Sequence, residues 1–424
     1  MKRKYERRHS RWYEVLLLGL GLHVLVGLPL VVMLPSLERW GWEFWHYLPD
    51  VRTNTLIAIS GAFMAAALTL RRMGRYPGAQ LAANIMPTVS IAFLIAVALL
   101  FFTREGYTRQ VLFGGYLVSL AWFYIGYFIG RRFRRLKLAL VPFGNTRRLL
   151  GTKQVDLRLL DQPDLQGVRV DGIVADLRAE DLPPEWERFL ATCTLCHIPV
   201  YHIRQISESI SGRVQIDHLS ENEFGSLLPP LFYVGVKRVA DFIGALVLLP
   251  VLLPVMVVTA IVIKLDSRGP VFFMQPRMGY RARPFLMFKF RSMYHDMSGE
   301  DFTISEDDPR ITRVGHVIRK YRIDELPQIF NILKSEMSFI GPRPESVSLS
   351  EWYEEDVPFF SYRHVVRPGI TGWAQVEQGY AAEVQGMTRK LQYDFYYIKH
   401  ISLWLDVLIS LKTVRILFTG FGAR

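Results

Sequence analysis

Cysteine is nearly absent from this chain, with Cys193 and Cys196 the only two in 424 residues. No disulfide framework can be built from them, and the soluble parts fit a reducing compartment. With His197 they spell CxxCH, the pattern of covalent haem attachment. That chemistry needs an exported domain, whereas the charge pattern below keeps this one inside, so a pair on one face of a short helix is the reading adopted. A glycine-rich cradle of the GxGxxG kind is also missing. The turn after the first β-like run of the middle region offers only Gly144 and Asn145, which favours docking, regulation or oligomerisation there over nucleotide binding. The apolar runs of the N-terminal third carry almost no ionisable residue at mid-membrane depth beyond His23. A transporter pathway is therefore not indicated, and His23 reads as packed or interfacial. Positive charge is not gathered into one stripe either. The formal net charge is +12, yet the basic clusters flank apolar runs, which points to a lipid bilayer and to phosphate and away from nucleic acid.

What the chain has in quantity is apolar sequence, half of all residues. Four runs, near residues 15 to 34, 53 to 70, 81 to 102 and 110 to 130, approach the roughly 20 residues needed to cross hydrocarbon. Lys2, Arg3, Lys4, Arg7, Arg8 and Arg11 precede the first; Arg71, Arg72 and Arg75 follow the second; Arg131, Arg132, Arg134, Arg135 and Lys137 follow the fourth. The alternate loops are poor in positive charge, and Trp40, Trp42 and Trp45 serve as interfacial anchors, so both ends of a four-span bundle are expected in the cytoplasm. No small-residue cleavage site marks a signal peptide. Three parts are expected: a transmembrane bundle over 1–137, a small cytosolic α/β domain, Rossmann-like and truncated, over 138–228, and a domain over 229–424. The last contains a fifth apolar run, Phe242 to Ile263, with Lys237 and Arg238 before it and Lys264 and Arg268 after it. Charge on both flanks argues that both ends stay inside, and Pro250 and Pro254 are expected to break it into a re-entrant hairpin, 238–265.

The chemistry lies further on. Asp324 and Glu325 are followed by Leu326, Pro327 and a helical pattern over Gln328 to Lys334. Proline is tolerated in a first turn, so Asp324 is expected near a helix N-terminus, where amides favour anionic phosphate. An ordinary N-cap explains Asp324 alone. Its company argues for more: Arg319 and Arg322 precede the pair, Arg343 is held between Pro342 and Pro344, and Arg367 opens a Gly/Pro-rich turn with Trp373. Adjacent carboxylates and locked guanidiniums suit a phosphoryl group beside a metal.

The pieces KRVAD (Lys237 to Asp241), KFRSM (Lys289 to Met293), DPRITRVGHVIRKYRIDELPQ (Asp308 to Gln328), MSFIGPRP, RPGITGWAQV and YDFYYIKH (Tyr393 to His400) together closely resemble the bacterial sugar transferase family. Within it they resemble the polytopic polyprenyl-phosphate glycosyl-1-phosphate transferases that start O-antigen, capsule and exopolysaccharide assembly. The resemblance runs almost without gaps from Lys237 to the C-terminus, and the four spans and middle unit match longer members. It implies an α/β-type monotopic catalytic domain on a re-entrant membrane helix at the cytoplasmic face of the bacterial inner membrane. That domain would transfer sugar 1-phosphate from a UDP-sugar to undecaprenyl phosphate and release UMP. By the same resemblance Asp324 is the nucleophile, forming an aspartyl-phosphosugar, and Glu325 helps it hold Mg²⁺. Arg319, Arg343 and Arg367 fall on positions for phosphate handling or active-site support, and Lys289 and Asp394 match as well. Many members place a serine before the hairpin proline, whereas Leu253 precedes Pro254 here; the missing hydroxyl removes one partner for a carbonyl freed by the kink. Two rivals stand beside this reading: a catalytically idle scaffold recruiting glycan-assembly proteins, and a transferase using direct attack with no covalent intermediate. A homodimer is compatible with the sequence, and no motif names the sugar. Leu403 to Phe418 is expected either in the membrane interface or packed on the catalytic core.

Overall fold

The computed structural model describes residues 5–8, 19–46, 49–77, 79–131, 136–149, 155–179, 181–214, 228–295, 308–378 and 384–419. Of the topology-setting charges, Lys2, Arg3, Lys4, Arg11, Arg132, Arg134 and Arg135 lie outside the described residues. The chain divides into two compact units, Met1–Gly212 and Arg213–Arg424. The first holds both the apolar helices and the α/β part that the sequence separates.

In the first unit, helices α1 (Leu20–Trp40), α2 (Asp50–Met73), α3 (Leu81–Phe102) and α4 (Arg109–Arg131) are each long and apolar enough to cross a membrane. Val31, Phe63, Val89 and Phe123, one from each helix, share a single core. Helix α1 opens into a π-helical turn over His23–Gly27. There Trp122 donates to His23 Nδ1 at 2.9 Å, and a Cβ on Gly27 would collide with Trp122 and Phe63. His23 is thus a packed residue.

After α4 come β1 (Lys137–Leu140), β2 (Asp156–Leu159), β3 (Gly172–Ala175), α5 (Pro184–Leu195), β4 (Val200–His202) and α6 (Ile203–Ser211). The four strands form a parallel sheet in the order β2-β1-β3-β4. Buried on both faces, β3 reads Gly-Ile-Val-Ala with no polar alternation. Cys193 and Cys196 are both buried in this core. The turn at Gly144 closes on the chain's own carboxylate, since Asn145 N–H donates to Asp176 Oδ2 at 3.1 Å. The N-terminal segment returns to the same sheet: Tyr5 enters its core, Arg8 N–H donates to Val170 O at 2.9 Å, and the Arg8 guanidinium pairs with Asp171 at 3.3 Å.

The second unit is built on helix α7, Leu231–Asp266, also long and apolar enough to cross a membrane. Pro250 and Pro254 lie inside it, and helical backbone continues past both, so neither ends the helix as the sequence suggests. Proline removes its own donor and crowds the preceding turn, which can distort a helix without stopping it. One face of its first turns is polar: Tyr233 and Lys237, four residues apart, both reach Asp406 at 2.8 Å, and Asp241, four further on, accepts from Ser338 Oγ at 2.6 Å. At the far end Asp266 accepts from Val314 N–H at 3.4 Å.

Beyond α7 run an antiparallel hairpin, β5 (Phe272–Met278) with β6 (Pro284–Phe290), then α8 (Arg313–Lys320), α9 (Ile329–Leu333), β7 (Ser338–Ile340), α10 (Val347–Asp356), β8 (Gly369–Thr371), α11 (Trp373–Glu377), α12 (Val384–Lys399) and α13 (Leu403–Thr419). Parallel pairing of β7 with β8 joins the GPRP loop to the PGITGW turn. Gly341 and Gly369 permit it, because a Cβ on either would strike the other strand's backbone. Helix α13 settles in the core, with Leu405, Leu408 and Ile409 fully buried.

Asp406 also accepts from Tyr397 Oη at 2.9 Å. Asp406→Ala leaves Lys237 short of its closest counter-charge in a buried setting, a loss on the order of 3 kcal/mol. The thermal midpoint of the detergent-purified chain should fall by several degrees, and by less in Asp406→Glu.

Candidate active site

The acidic pair sits where the chain is bent most sharply. Arg322 is left-handed (φ 56°) and leads into a 3₁₀ turn, Ile323–Gln328, that continues as α9. An α-helical first turn was expected. Pro327 has no N–H to return to Ile323, and the tighter turn results. Asn331, fully buried, then locks this segment to the hairpin: its amide donates to Leu286 O at 2.7 Å and its carbonyl accepts from Phe288 N–H at 3.0 Å. Lys289, the next residue on β6, is thereby carried to the carboxylates.

Glu325 Oε1 gathers three cations: Arg343 Nη2 at 2.6 Å, Arg322 Nη1 at 3.3 Å and Lys289 Nζ at 4.0 Å. Burial works against its ionisation, but Arg343, then Lys289 and Arg322, outweigh it and hold the carboxyl well below the usual range. Arg343 is correspondingly raised, by Glu325 above all. Asp324 is treated in the opposite way. Burial, and then the charge of Glu325, push it up to about 6, and its Oδ1 is buried with no hydrogen-bond partner. Lys289 is drawn down to about 8 by burial, although Glu325 opposes this. One carboxylate is therefore spent on neutralising cations and its neighbour is left with an unused acceptor. A buried oxygen of that kind suits an incoming phosphorus or a hard cation.

Behind the Arg343 loop lies a second charge network. Arg363, 2% exposed, donates to the backbone carbonyl of Arg343 at 2.8 Å and pairs with Asp394 at 2.8 Å and Glu345 at 3.5 Å. Lys390 closes on Glu345, and Arg277 donates to Pro344 O at 3.2 Å. Burial raises Asp394, against Arg363.

Of the residues singled out in the sequence, the fold brings Asp324, Glu325, Arg343 and Lys289 together. Asp394 stands one step back, touching the site through Arg363. Arg367 turns elsewhere: its Nε donates to Ser335 O at 3.0 Å and its guanidinium lies 5.1 Å from the Tyr280 ring. Arg319, in the last turn of α8, bears on Asp308. Trp373, expected beside a ligand, is a core residue, 1% exposed, stacked on Tyr396 and beneath Lys412. Pro250 and Pro254 remain in α7. Sequence reasoning missed Asn331, Glu345 and Arg363. Nothing local marks them, although a lone arginine in the apolar-aromatic stretch Phe359 to Val366 is a usable signal. Among the described residues no three potential ligands cluster for a metal. A cation here would rest on Asp324 and Glu325 and draw its other oxygens from phosphate and water, as Mg²⁺ commonly does.

Arg363→Met strands Asp394 in the interior, while Glu345 keeps Lys390, and should cost about 3–5 kcal/mol. Chemical denaturation of the full chain should show a lower midpoint, largely restored when Asp394→Leu is added.

A profile of the bacterial sugar transferase family matches residues 232–420, the range that contains Lys289, Asp324, Glu325 and Arg343. A protein of Aeromonas hydrophila named UDP-N-acetylgalactosamine-undecaprenyl-phosphate N-acetylgalactosaminephosphotransferase is 53% identical over 421 residues, covering 99% of this chain and 100% of that protein. A UDP-glucose:undecaprenyl-phosphate glucose-1-phosphate transferase of Xanthomonas campestris pv. campestris is 45% identical over 220 residues, 51% of this chain and 45% of its own length. Its namesake in Escherichia coli K12 is 39% identical over 188 residues, 44% and 40% of the two chains. With five helices apolar enough for a membrane and a relative matched from end to end, the chain belongs to the bacterial sugar transferase family and is a phosphoglycosyl transferase.

Proposed function

We propose that the protein transfers sugar 1-phosphate from a UDP-sugar to undecaprenyl phosphate, at the cytoplasmic face of a bacterial inner membrane, through a covalent phosphosugar on Asp324. The observation that carries this is the contrast within the acidic pair: Glu325 Oε1 is engaged by Arg343, Arg322 and Lys289, while Asp324 Oδ1 is buried and unpartnered. The carboxylate oxygen of Asp324 attacks the sugar-bearing phosphorus, the bond to UMP breaks, and the leaving UMP takes the electron pair. An oxygen of the lipid phosphate then attacks the same phosphorus. The acyl-phosphate bond breaks, Asp324 regains its charge, and a polyprenyl diphosphate-sugar is formed. Arg343 and Lys289 face the charge that builds on the phosphoryl oxygens and on the leaving group. Mg²⁺ held by Asp324 and Glu325 would supply further charge neutralisation across the diphosphate. Arg367 and Arg319 serve phosphate binding from a greater distance in this reading, and Asp394 acts through Arg363.

A helix returning to its own side of the membrane fits this chemistry, since the acceptor's tail stays in lipid while the donor stays in water. Both ends of α7 are bound by the same unit, through Asp406 and Ser338 near its start and Val314 near its end, which supports a re-entrant hairpin bent at Pro250 and Pro254. The four N-terminal helices act as a membrane bundle. UDP-N-acetylgalactosamine is the first donor to test, from the name of the full-length relative, and UDP-glucose the second.

Release of UMP by the full chain in nanodiscs, with Mg²⁺ and undecaprenyl phosphate, is expected with one donor and should fall at least about 1,000-fold in Asp324→Asn. That size of loss follows from removing a nucleophile. Folded protein that releases no UMP with any donor would favour an idle scaffold, and turnover without isolable phosphosugar on the enzyme would favour direct attack.

The pH profile tests the same assignment. Asp324 must be ionised to attack, so kcat/KM should rise with pH through about 6. Lys289 must keep its proton, so it should fall again through about 8. Lys289→Arg should remove the alkaline limb and keep the acid one.

A further inference from the structure

Arg367 raises a question that the active site does not answer, because it points away from Glu325 toward the tip of the β5–β6 hairpin. Tyr280 lies at that tip with one guanidinium on its ring from Arg367 and another from Arg281, each 5.1 Å from the ring centroid. Arg238, in the opening turns of α7, adds its charge to Arg367, and so does Arg281. Among the described residues, none of the three arginines forms an ion pair. The nearby carboxylate, Asp241, is already held by Ser338 Oγ at 2.6 Å and faces Lys237 at 3.8 Å. Arg281 and Arg367 share one ring, and the charge of Arg238 bears on Arg367, so the like charges repel and a bound anion relieves this.

The backbone agrees with a built feature. Arg281 and Ala282 are both left-handed (φ 57° and 54°), an arrangement L-residues adopt rarely and still more rarely in succession. It is held by Gly279 N–H to Arg283 O at 3.1 Å and by Arg283 N–H to Tyr280 O at 3.3 Å. The turn keeps the Arg281 guanidinium against the aromatic ring. The place is also telling. Arg238 stands where α7 enters its apolar stretch, flanked by Val239 and Phe242, both exposed, so the cluster lies at the polar margin of lipid-facing surface.

We infer that Arg281 and Arg367, stacked on the Tyr280 ring, together with Arg238 at the start of α7, dock the phosphomonoester headgroup of the polyprenyl acceptor before it moves to the phosphosugar on Asp324. The inference rests on the transferase reading and sets two places, docking and reaction, on the acceptor's path. They are joined by short backbone links, because Gly369 N–H, two residues beyond Arg367, donates to Pro342 O, one residue before Arg343, at 3.0 Å. Guanidiniums on an aromatic ring keep their in-plane donors available for phosphate oxygens.

The test uses the full chain in nanodiscs and compares wild type with Arg238→Gln/Arg281→Gln, both exposed positions. The KM for undecaprenyl phosphate should rise at least 10-fold, with the KM for the UDP-sugar unchanged. An unchanged acceptor KM, or an equal rise in the donor KM, overturns the assignment. Should the double variant have a lowered thermal midpoint, Arg281→Gln alone carries the same reading. Phosphatidylglycerol competing as well as unlabelled undecaprenyl phosphate would make this a site for bulk anionic lipid, and competition by millimolar inorganic phosphate would make it a general anion site; either result overturns it. Failure of the transferase reading shows up separately, as wild type that releases no UMP.

Discussion

A carboxylate kept ionised inside a protein needs cations around it, and Glu325 is the one on which this catalytic unit depends. Its single oxygen Oε1 collects Arg343, Arg322 and Lys289, which arrive from a proline-flanked loop, a left-handed turn and a β-strand. Each cation would be costly to bury alone, and the one anion makes all three affordable. The neighbouring Asp324 inherits the opposite condition. The cations are already engaged, and its own Oδ1 is left without a hydrogen bond. Two adjacent, chemically similar residues thus acquire different settings from position alone, one carboxylate engaged by cations and the other with an unpartnered oxygen.

Holding that arrangement takes a second layer. Arg363 ties the Arg343 carbonyl to Asp394 and Glu345, and Asn331 ties the Lys289 strand to the acidic turn. Pairing of β7 with β8 sets the two Gly/Pro-rich loops side by side. The membrane helix is fastened to the same framework. Ser338, the first residue of β7, donates to Asp241, while Asp406 receives Tyr233, Lys237 and Tyr397. The strand that leads into the Arg343 loop is therefore bonded directly to α7, and the height of the loop follows that of the helix.

Much of this was legible beforehand. Apolar runs of membrane length are a property of composition, and all five became helices. The alternation of short β-like runs with a helical stretch became a parallel sheet. Asp324, Glu325 and Arg343 were marked by residue type and by prolines that restrict the backbone, and Lys289 by family resemblance. Other readings needed correction. Helical backbone runs through Pro250 and Pro254, where the sequence led to an expected break. Trp373 looked like a ligand platform but fills the core, since a turn sequence does not say which face of an indole will be covered. Leu403 to Thr419 has a spacing compatible with interface or core, and only its packing chose the core.

The sequence by itself determined the membrane association, the α/β middle region, the family and the acidic pair, because each rests on local composition or on a contiguous motif. Only the tertiary structure decided which cations meet which anions. Arg343 reaches Glu325 across 18 positions, Arg363 meets Asp394 across a longer separation, and Arg367, equal to Arg343 in sequence appearance, turns to Tyr280 instead. Charge pairing depends on distances of a few ångströms between residues far apart in the chain, and those distances exist only once the strands and helices have packed.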